Sequence, residues 1–254
     1  MKPLTILACA TALVALAGCH SKQGSEGTSE APVKYENVTP PPGGNWTDVI
    51  NPTPAGGVMM GNPNAKVHLI EIGSLTCPHC QHFEETAVDD LVNKYVKTGS
   101  VSYEFRNYVR DAFDLAAVIV SKCNGPKTFF PLSRAFYDTH PDWEQKAMAF
   151  PQDQLNQLQS LPPNQVELQA AKMGGFIDWA AARGVPQAKT TQCLTDTKRI
   201  NDIVNQSGLI AQDYPDFAGT PSFVLNGTMV DLSGVSEDKI WPFLEGKIKA
   251  GLGG

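Results

Sequence analysis

The chain has 254 residues, 42% of them hydrophobic and 18% charged, and carries a formal net charge of −6. That length buries a sizeable core in one or two domains, and the mild acidity supplies no basic patch, which argues against nucleic acid as a partner. No internal repeat is visible.

At the N-terminus Lys2 precedes an apolar run from Leu4 to Leu16, a signal-peptide pattern that is too short for a membrane-spanning helix of about 20 residues. It ends in Leu16-Ala17-Gly18-Cys19, which resembles the bacterial lipoprotein cleavage box; the alternative is an ordinary signal peptide with an incidental cysteine. Used as such a box, it makes residues 1–18 a lipoprotein signal peptide and Cys19 the lipidated first residue, so that acyl chains anchor the protein to a lipid membrane. His20 stands where some bacteria place the Asp that retains lipoproteins at the inner membrane, which favours the outer membrane, facing the periplasm. Residues 19–57, rich in Ser, Gly, Glu, Thr and Pro, read as a flexible tether in which Trp46 and Val49-Ile50 are isolated apolar residues.

The folded part is expected to begin with a short strand at Val58-Met59-Met60, a turn at Gly61-Asn62-Pro63-Asn64 and a central strand from Val67 to Ile72. A helix from Gln81 to Lys97 follows, with Phe83, Ala87, Val88, Leu91, Val92 and Tyr95 on one stripe, and then an alternating strand from Val101 to Arg106. Strand, helix, strand points to a parallel pair in an α/β sheet. From Asp111 to about Gln212 the signals are helical: Asp114 to Lys122, Thr128 to Thr139, Gln165 to Arg183 with a glycine pair at Gly174-Gly175, and a helix capped by Asp196. Phe223 to Leu225, Asn226-Gly227 and Met229 to Asp231 read as a hairpin, and Ser236-Glu237-Asp238-Lys239 opens the last helix. Trp143, Trp179 and Trp241 read as core residues, and His68 as an ordinary strand residue.

Chemistry concentrates in Cys77-Pro78-His79-Cys80, where the central strand hands over to a helix. Unpaired amides and the positive end of the helix dipole favour a thiolate there, and Pro78 suits a first helical turn. His79 is placed to add a donor or positive charge near Cys77, and the thiolate is the reactive form of cysteine. Both cysteines are therefore expected to be redox-active, with Cys77 the exposed partner and Cys80 the buried one.

The strand with Glu71, then Ser74-Leu75-Thr76-Cys77-Pro78-His79-Cys80, and the distant Gly219-Thr220-Pro221-Ser222-Phe223 resemble the DsbA-like thiol:disulfide oxidoreductases of the thioredoxin superfamily over roughly residues 58 to 250. The resemblance implies an α/β thioredoxin fold with an inserted all-helical domain: 58–110 and 213–254 form the thioredoxin-like part and 111–212 the insert. It implies a cis Thr220-Pro221 bond facing the dicysteine, with the Thr220 backbone pairing to an extended substrate, where an ordinary trans strand-start proline is the alternative. It places Glu71 beneath the active site as a proton carrier for Cys80, against the alternative of an edge residue reaching solvent. It also implies cysteine-containing exported proteins as clients and a DsbB-like membrane protein as reoxidant, with no cofactor and a monomeric chain.

Cys9 leaves with the signal peptide and Cys19 takes lipid, so Cys123 and Cys193 remain beside the active pair. In an oxidising compartment they read as a structural disulfide; a second redox relay or two free buried thiols are the alternatives. Zinc on Cys77, His79, Cys80 and His82 is disfavoured, because consecutive helix positions do not converge on one ion. The expected function is that of a periplasmic oxidase of protein thiols. A reductase or isomerase, or a non-enzymatic disulfide-stapled envelope lipoprotein, are the rival readings.

Overall fold

The computed structural model describes residue 40 and residues 44–253 except 159. The signal peptide, Cys19 and most of the tether lie outside the described residues. A six-stranded sheet has the order β1-β2-β4-β3-β5-β6, with β1 Ile50–Pro52, β2 Val58–Gly61, β3 Val67–Gly73, β4 Val101–Asn107, β5 Ser222–Leu225 and β6 Thr228–Met229. Only β3 and β4 run parallel, joined by the helix α1 (residues 78–96); all other pairs are antiparallel. That single crossover puts β3 in the middle of the sheet and its C-terminal end at the start of α1.

The two faces of β3 have different covers. Val67 and Leu69 join the large core that includes Phe83 and Leu91 of α1 and Leu244 and Ile248 of the last helix. Ile70 and Ile72 point the other way, to Val224, Ile210 and Tyr214. Burial on both faces explains why β3 reads as a continuous apolar run rather than an alternating one. The hairpin turn behaves as its sequence suggests, with Asn226 and Gly227 both at positive φ (48° and 83°).

Between β4 and β5 lies the helical layer: α2 Ala112–Lys122, α3 Phe129–Asp138, α4 His140–Met148, α5 Gln152–Leu158, α6 Pro163–Gly174, α7 Phe176–Ala181, α8 Gln187–Thr195 and α9 Thr197–Asp213; α10, Ile240–Leu252, closes the chain. α2 is its axis, since Ala116 through Val120 have no solvent exposure. Around it Phe136 stacks on Trp179 at 3.9 Å and meets Phe176 edge-on at 5.1 Å. Trp143 is buried with them, and Trp241 packs edge-on against Tyr95. The single helix expected over Gln165 to Arg183 is two, because Gly175 takes a left-handed conformation (φ 73°) that ends α6 and begins α7.

The tether expected over 19–57 gives way to folded chain earlier than its composition suggests. Asn45 caps a turn at Trp46–Asp48, and β1 pairs with β2 in register Ile50↔Met60. Pro52 is tolerated because β1 is an edge strand, and a three-residue strand containing Asn and Pro has no periodic signal of its own.

Cys123, at the end of α2, and Cys193, in α8, are bonded across 70 residues of sequence, and both are buried. A loop of that length stabilises the fold by about 4 kcal/mol on the chain-entropy model. A Cys123→Ala, Cys193→Ala double variant should therefore unfold at a clearly lower denaturant midpoint while its active-site pair exchanges thiols normally. An unchanged midpoint would refute the structural role of this bond.

Candidate active site

The last turn of β3 and the first turn of α1 set the dithiol. Cys77 is the N-cap of α1, with Pro78 at its first position, and the Gln81 amide already donates to the Cys77 carbonyl. Both cysteines are free thiols, with Cys77 3% exposed and Cys80 fully buried. Cys77 is therefore the less enclosed of the two but is not open to solvent. Its Sγ lies 3.2 Å from the Thr220 carbonyl oxygen, and the Thr220-Pro221 bond is cis. The loop before β5 thus covers the sulfur with a backbone acceptor.

The same motif gives the two sulfurs opposite tendencies. The hydrogen bond from the Cys80 thiol pulls Cys77 down to about 5, helped by the Thr220 side chain and by the amides of Cys80 and His79, while burial opposes the shift. Burial pushes Cys80 well up, and the hydrogen bond to Cys77 and the neighbouring Glu71 add to that. One sulfur is thus a ready thiolate at neutral pH, and the other retains its proton.

Glu71 is 1% exposed on the central strand, opposite Phe105 on one side and Phe223 on the other, so it is no edge residue. Burial raises it to about 8, although the Tyr103 hydroxyl donates to its Oε2 at 2.6 Å. It shares with Val67 and Leu69 the β3 face toward α1, because side chains alternate along the strand. At neutral pH it holds a proton and is electrostatically coupled to both cysteines.

His79 also has a partner that its neighbours in sequence do not indicate. Its imidazole is largely exposed, with Nδ1 2.8 Å from Glu237 Oε1 in the turn just before the last helix. The hydrogen bond to Glu237 raises its pKa, and the Cys77 charge adds only a smaller electrostatic contribution. What His79 gives Cys77 directly is its backbone amide.

Several residues of the site carry no sequence signal. Asp114, wholly buried at the start of α2, accepts from Ser74 Oγ at 2.7 Å, from the Leu75 amide at 3.0 Å and from the Arg110 amide at 3.0 Å. Tyr137 donates to the Ser74 carbonyl at 2.9 Å, and Arg110 donates to the Thr76 carbonyl at 3.0 Å. Together they fix the segment entering Cys77. Glu84, one turn beyond Cys80, is raised by burial to about 7 despite its 2.8 Å ion pair with Arg134. An acid after a CxxC helix start reads as a surface residue, and only the packing of α3 reveals its burial. Beside the Thr220-Pro221 loop opens a cleft of about 710 Å³, lined by Gly219, Ser222, Met229, Val230 and Leu232 and rimmed by Asp216 and Asp231. Among the described residues no cluster of three or more His, Cys, Asp or Glu is arranged to hold a metal, and no helix is long and apolar enough to cross a membrane.

Residues 53–239 match the sequence family described as Thioredoxin. The crystal structure of protein-disulfide isomerase from Novosphingobium aromaticivorans superposes with a TM-score of 0.71 at 29% identity, covering 78% of this chain and 97% of that one. That of Wolbachia pipientis alpha-DsbA1 does so with a TM-score of 0.59 at 22% identity, over 80% and 93% of the two chains, a likeness of fold. A Rickettsia prowazekii (strain Madrid E) protein named "Putative protein-disulfide oxidoreductase" is 26% identical over 175 residues, which are 68% of this chain and 56% of the relative. The chain spans about half the length of the curated relatives it matches. With most of its length matched by that family, and a helical layer inserted between β4 and β5 of the sheet as in the fold of alpha-DsbA1, the chain belongs to the thioredoxin family.

Proposed function

We propose that the chain is a lipid-anchored thiol:disulfide oxidoreductase of the periplasm that introduces disulfides into exported proteins through Cys77 and Cys80. The observation that carries this reading is the split between the sulfurs, a Cys77 drawn down to about 5 beside a Cys80 pushed up, under the Thr220 carbonyl. In the oxidised enzyme a client thiolate attacks Cys77 Sγ, the Cys77-Cys80 bond breaks, and Cys80 leaves with the electron pair. Glu71, protonated at neutral pH, is the acid that supplies the proton Cys80 needs, since general acid catalysis works best with a pKa near the working pH. The client's second thiolate then attacks its own sulfur in the mixed disulfide and expels Cys77 as a stabilised thiolate. Two electrons pass to the enzyme and the client holds the new disulfide. A DsbB-like, quinone-linked membrane protein is the proposed reoxidant, and the extended client segment is held along the Thr220-Pro221 loop.

The name of the Novosphingobium relative favours a second reading, disulfide isomerase. Electrostatics tilts toward oxidase. A thiolate stabilised in the reduced form makes the disulfide the less stable state and therefore a strong oxidant.

The sign of the pH effect follows from the lowered Cys77 pKa. Relative to a thiol at 9.0, a folded value of about 5 contributes stability to the reduced protein. It is fully present above the unfolded pKa and is lost as pH falls through about 5. The reduced protein should melt above the oxidised one at neutral pH, with the gap closing in acid. Thiolate absorbance of the reduced wild type should titrate near 5, and at higher pH in a Cys80→Ala variant, which lacks the largest contributor. A Cys77 that titrates near 9, or an oxidised form that melts higher at pH 7, would favour the reductase or isomerase reading.

Replacing Glu71 separates its acid role from packing. Glu71→Gln retains the shape and the Tyr103 contact but has no proton to transfer, so client oxidation should slow by about tenfold or more. The Cys77 titration should stay within about one unit of wild type. Equal turnover across pH 6 to 8 in the two proteins would eliminate Glu71 as the proton source.

A further inference from the structure

On the sheet edge formed by β1, a second cleft of about 440 Å³ is walled by the Thr53–Gly57 turn, the end of α2 and the start of α9. Its volume falls in the range of small-ligand sites, roughly 300–1,000 Å³. The turn is held by its own bonds: Gly56 donates to the Thr53 carbonyl, the Gly57 amide donates to Thr53 Oγ1, and Gly56 takes a positive φ of 81° with the Gln206 amide packed against it.

The charges of this cleft do not balance within it. Lys122, largely buried, donates to the Gly56 carbonyl at 2.8 Å but has no carboxylate in ion-pair contact among the described residues. Arg199 has its Nε sealed from solvent with no hydrogen-bond partner among the described residues. Of the two acids of the lining, Asp202 holds Lys198 at 2.6 Å and Asp196 caps α9 by accepting from the Arg199 amide at 3.2 Å; among the described residues neither is in ion-pair contact with the Lys122 or Arg199 side chain. Glu104, the nearest acid behind Lys122, already binds Arg106 and Thr53. Burial lowers the Lys122 pKa to about 8; the charge of Glu104 pulls it back up, and the charge of Arg199 adds a smaller downward push.

Two cations lining one cleft, one with a buried N–H that has no partner among the described residues, suit a compact anion of more than one charge. A phosphate group carries about −1.5 to −2 and three acceptor oxygens, and a guanidinium fork matches it. We propose that this cleft is a binding site for a phosphate group, held between Lys122 and Arg199. The Cys123-Cys193 bond lies directly behind it, joining the residue after Lys122 to the helix that ends before Asp196, and so holds the two walls together. The site is independent of the dithiol and of the reaction proposed for it.

The test is thermal unfolding of the full chain in inorganic phosphate against sodium chloride of equal ionic strength at pH 7. Phosphate should raise the melting temperature of the wild type, and Arg199→Gln should weaken the apparent affinity at least tenfold. Lys122→Met should do the same, but Arg199→Gln carries the test, because Arg199 contributes no observed side-chain bond to the fold. Dithiol turnover should be unchanged in both variants. Sedimentation with phosphatidylglycerol vesicles distinguishes the source: binding that phosphate competes away and Arg199→Gln removes assigns a lipid headgroup, whereas a thermal shift without vesicle binding assigns a free phosphate compound. The proposal is overturned if phosphate and chloride give the same melting curve and vesicles bind wild type and variant alike, or if Arg199→Gln responds to phosphate as the wild type does.

Discussion

The first turn of α1 turns its amides on one sulfur, and the remainder of the site depends on that turn being held in place. A helix start attracts negative charge only within its first turn, so a shift of the segment before Cys77 would remove the effect. Asp114 prevents that shift by gathering Ser74, Leu75 and Arg110 around one buried carboxylate. Burial pushes this carboxyl up to about 7 while its hydrogen bonds resist. The helical layer, through α2 and Tyr137, thus positions the chemistry as well as covering the sheet.

Burial then divides the work between two identical side chains. Cys77 sits where amides and Thr220 reach it, whereas Cys80 faces the core and Glu71, so a thiolate is stabilised at one sulfur and penalised at the other. Burial raises both Glu71 and Glu84, and the charge of Glu84 adds to the cost of ionising Glu71. Glu84 escapes in part through Arg134 at the surface, while Glu71 has only the Tyr103 hydroxyl. The deeper acid therefore keeps its proton at neutral pH, within electrostatic reach of Cys80.

The other end of the molecule is organised by a different constraint. Glu104 and Arg106, both buried, satisfy one another with Thr53 and Tyr214, which closes β1 and its turn onto β4. Breaking one partner of such a pair is costly because the other is left charged and dry. Among the described residues that pairing leaves Lys122 and Arg199 with no carboxylate in ion-pair contact, and the disulfide ties the end of α2 to α8, the helix just before the one that carries Arg199.

Local chemistry written in consecutive residues was legible without coordinates. The helix start at Cys77-Pro78, the Asn226-Gly227 turn, the apolar β3 and the Asp196 cap each rest on backbone preferences that neighbours in sequence decide. The pairing of Cys123 with Cys193 was legible from counting in an oxidising compartment. α4, α5 and α8 were not, because they carry few apolar residues and form by packing on α6 and its neighbours. Nor was β1, whose hydrogen bonds exist only once β2 is beside it. The direction of His79 depends on Glu237, 158 residues away, and the protonation of Glu71 on being dried by strands and helices from both ends of the chain. Sequence determined which groups are able to react. The tertiary structure decided which of them hold a charge, because burial and long-range partners set the cost of ionisation.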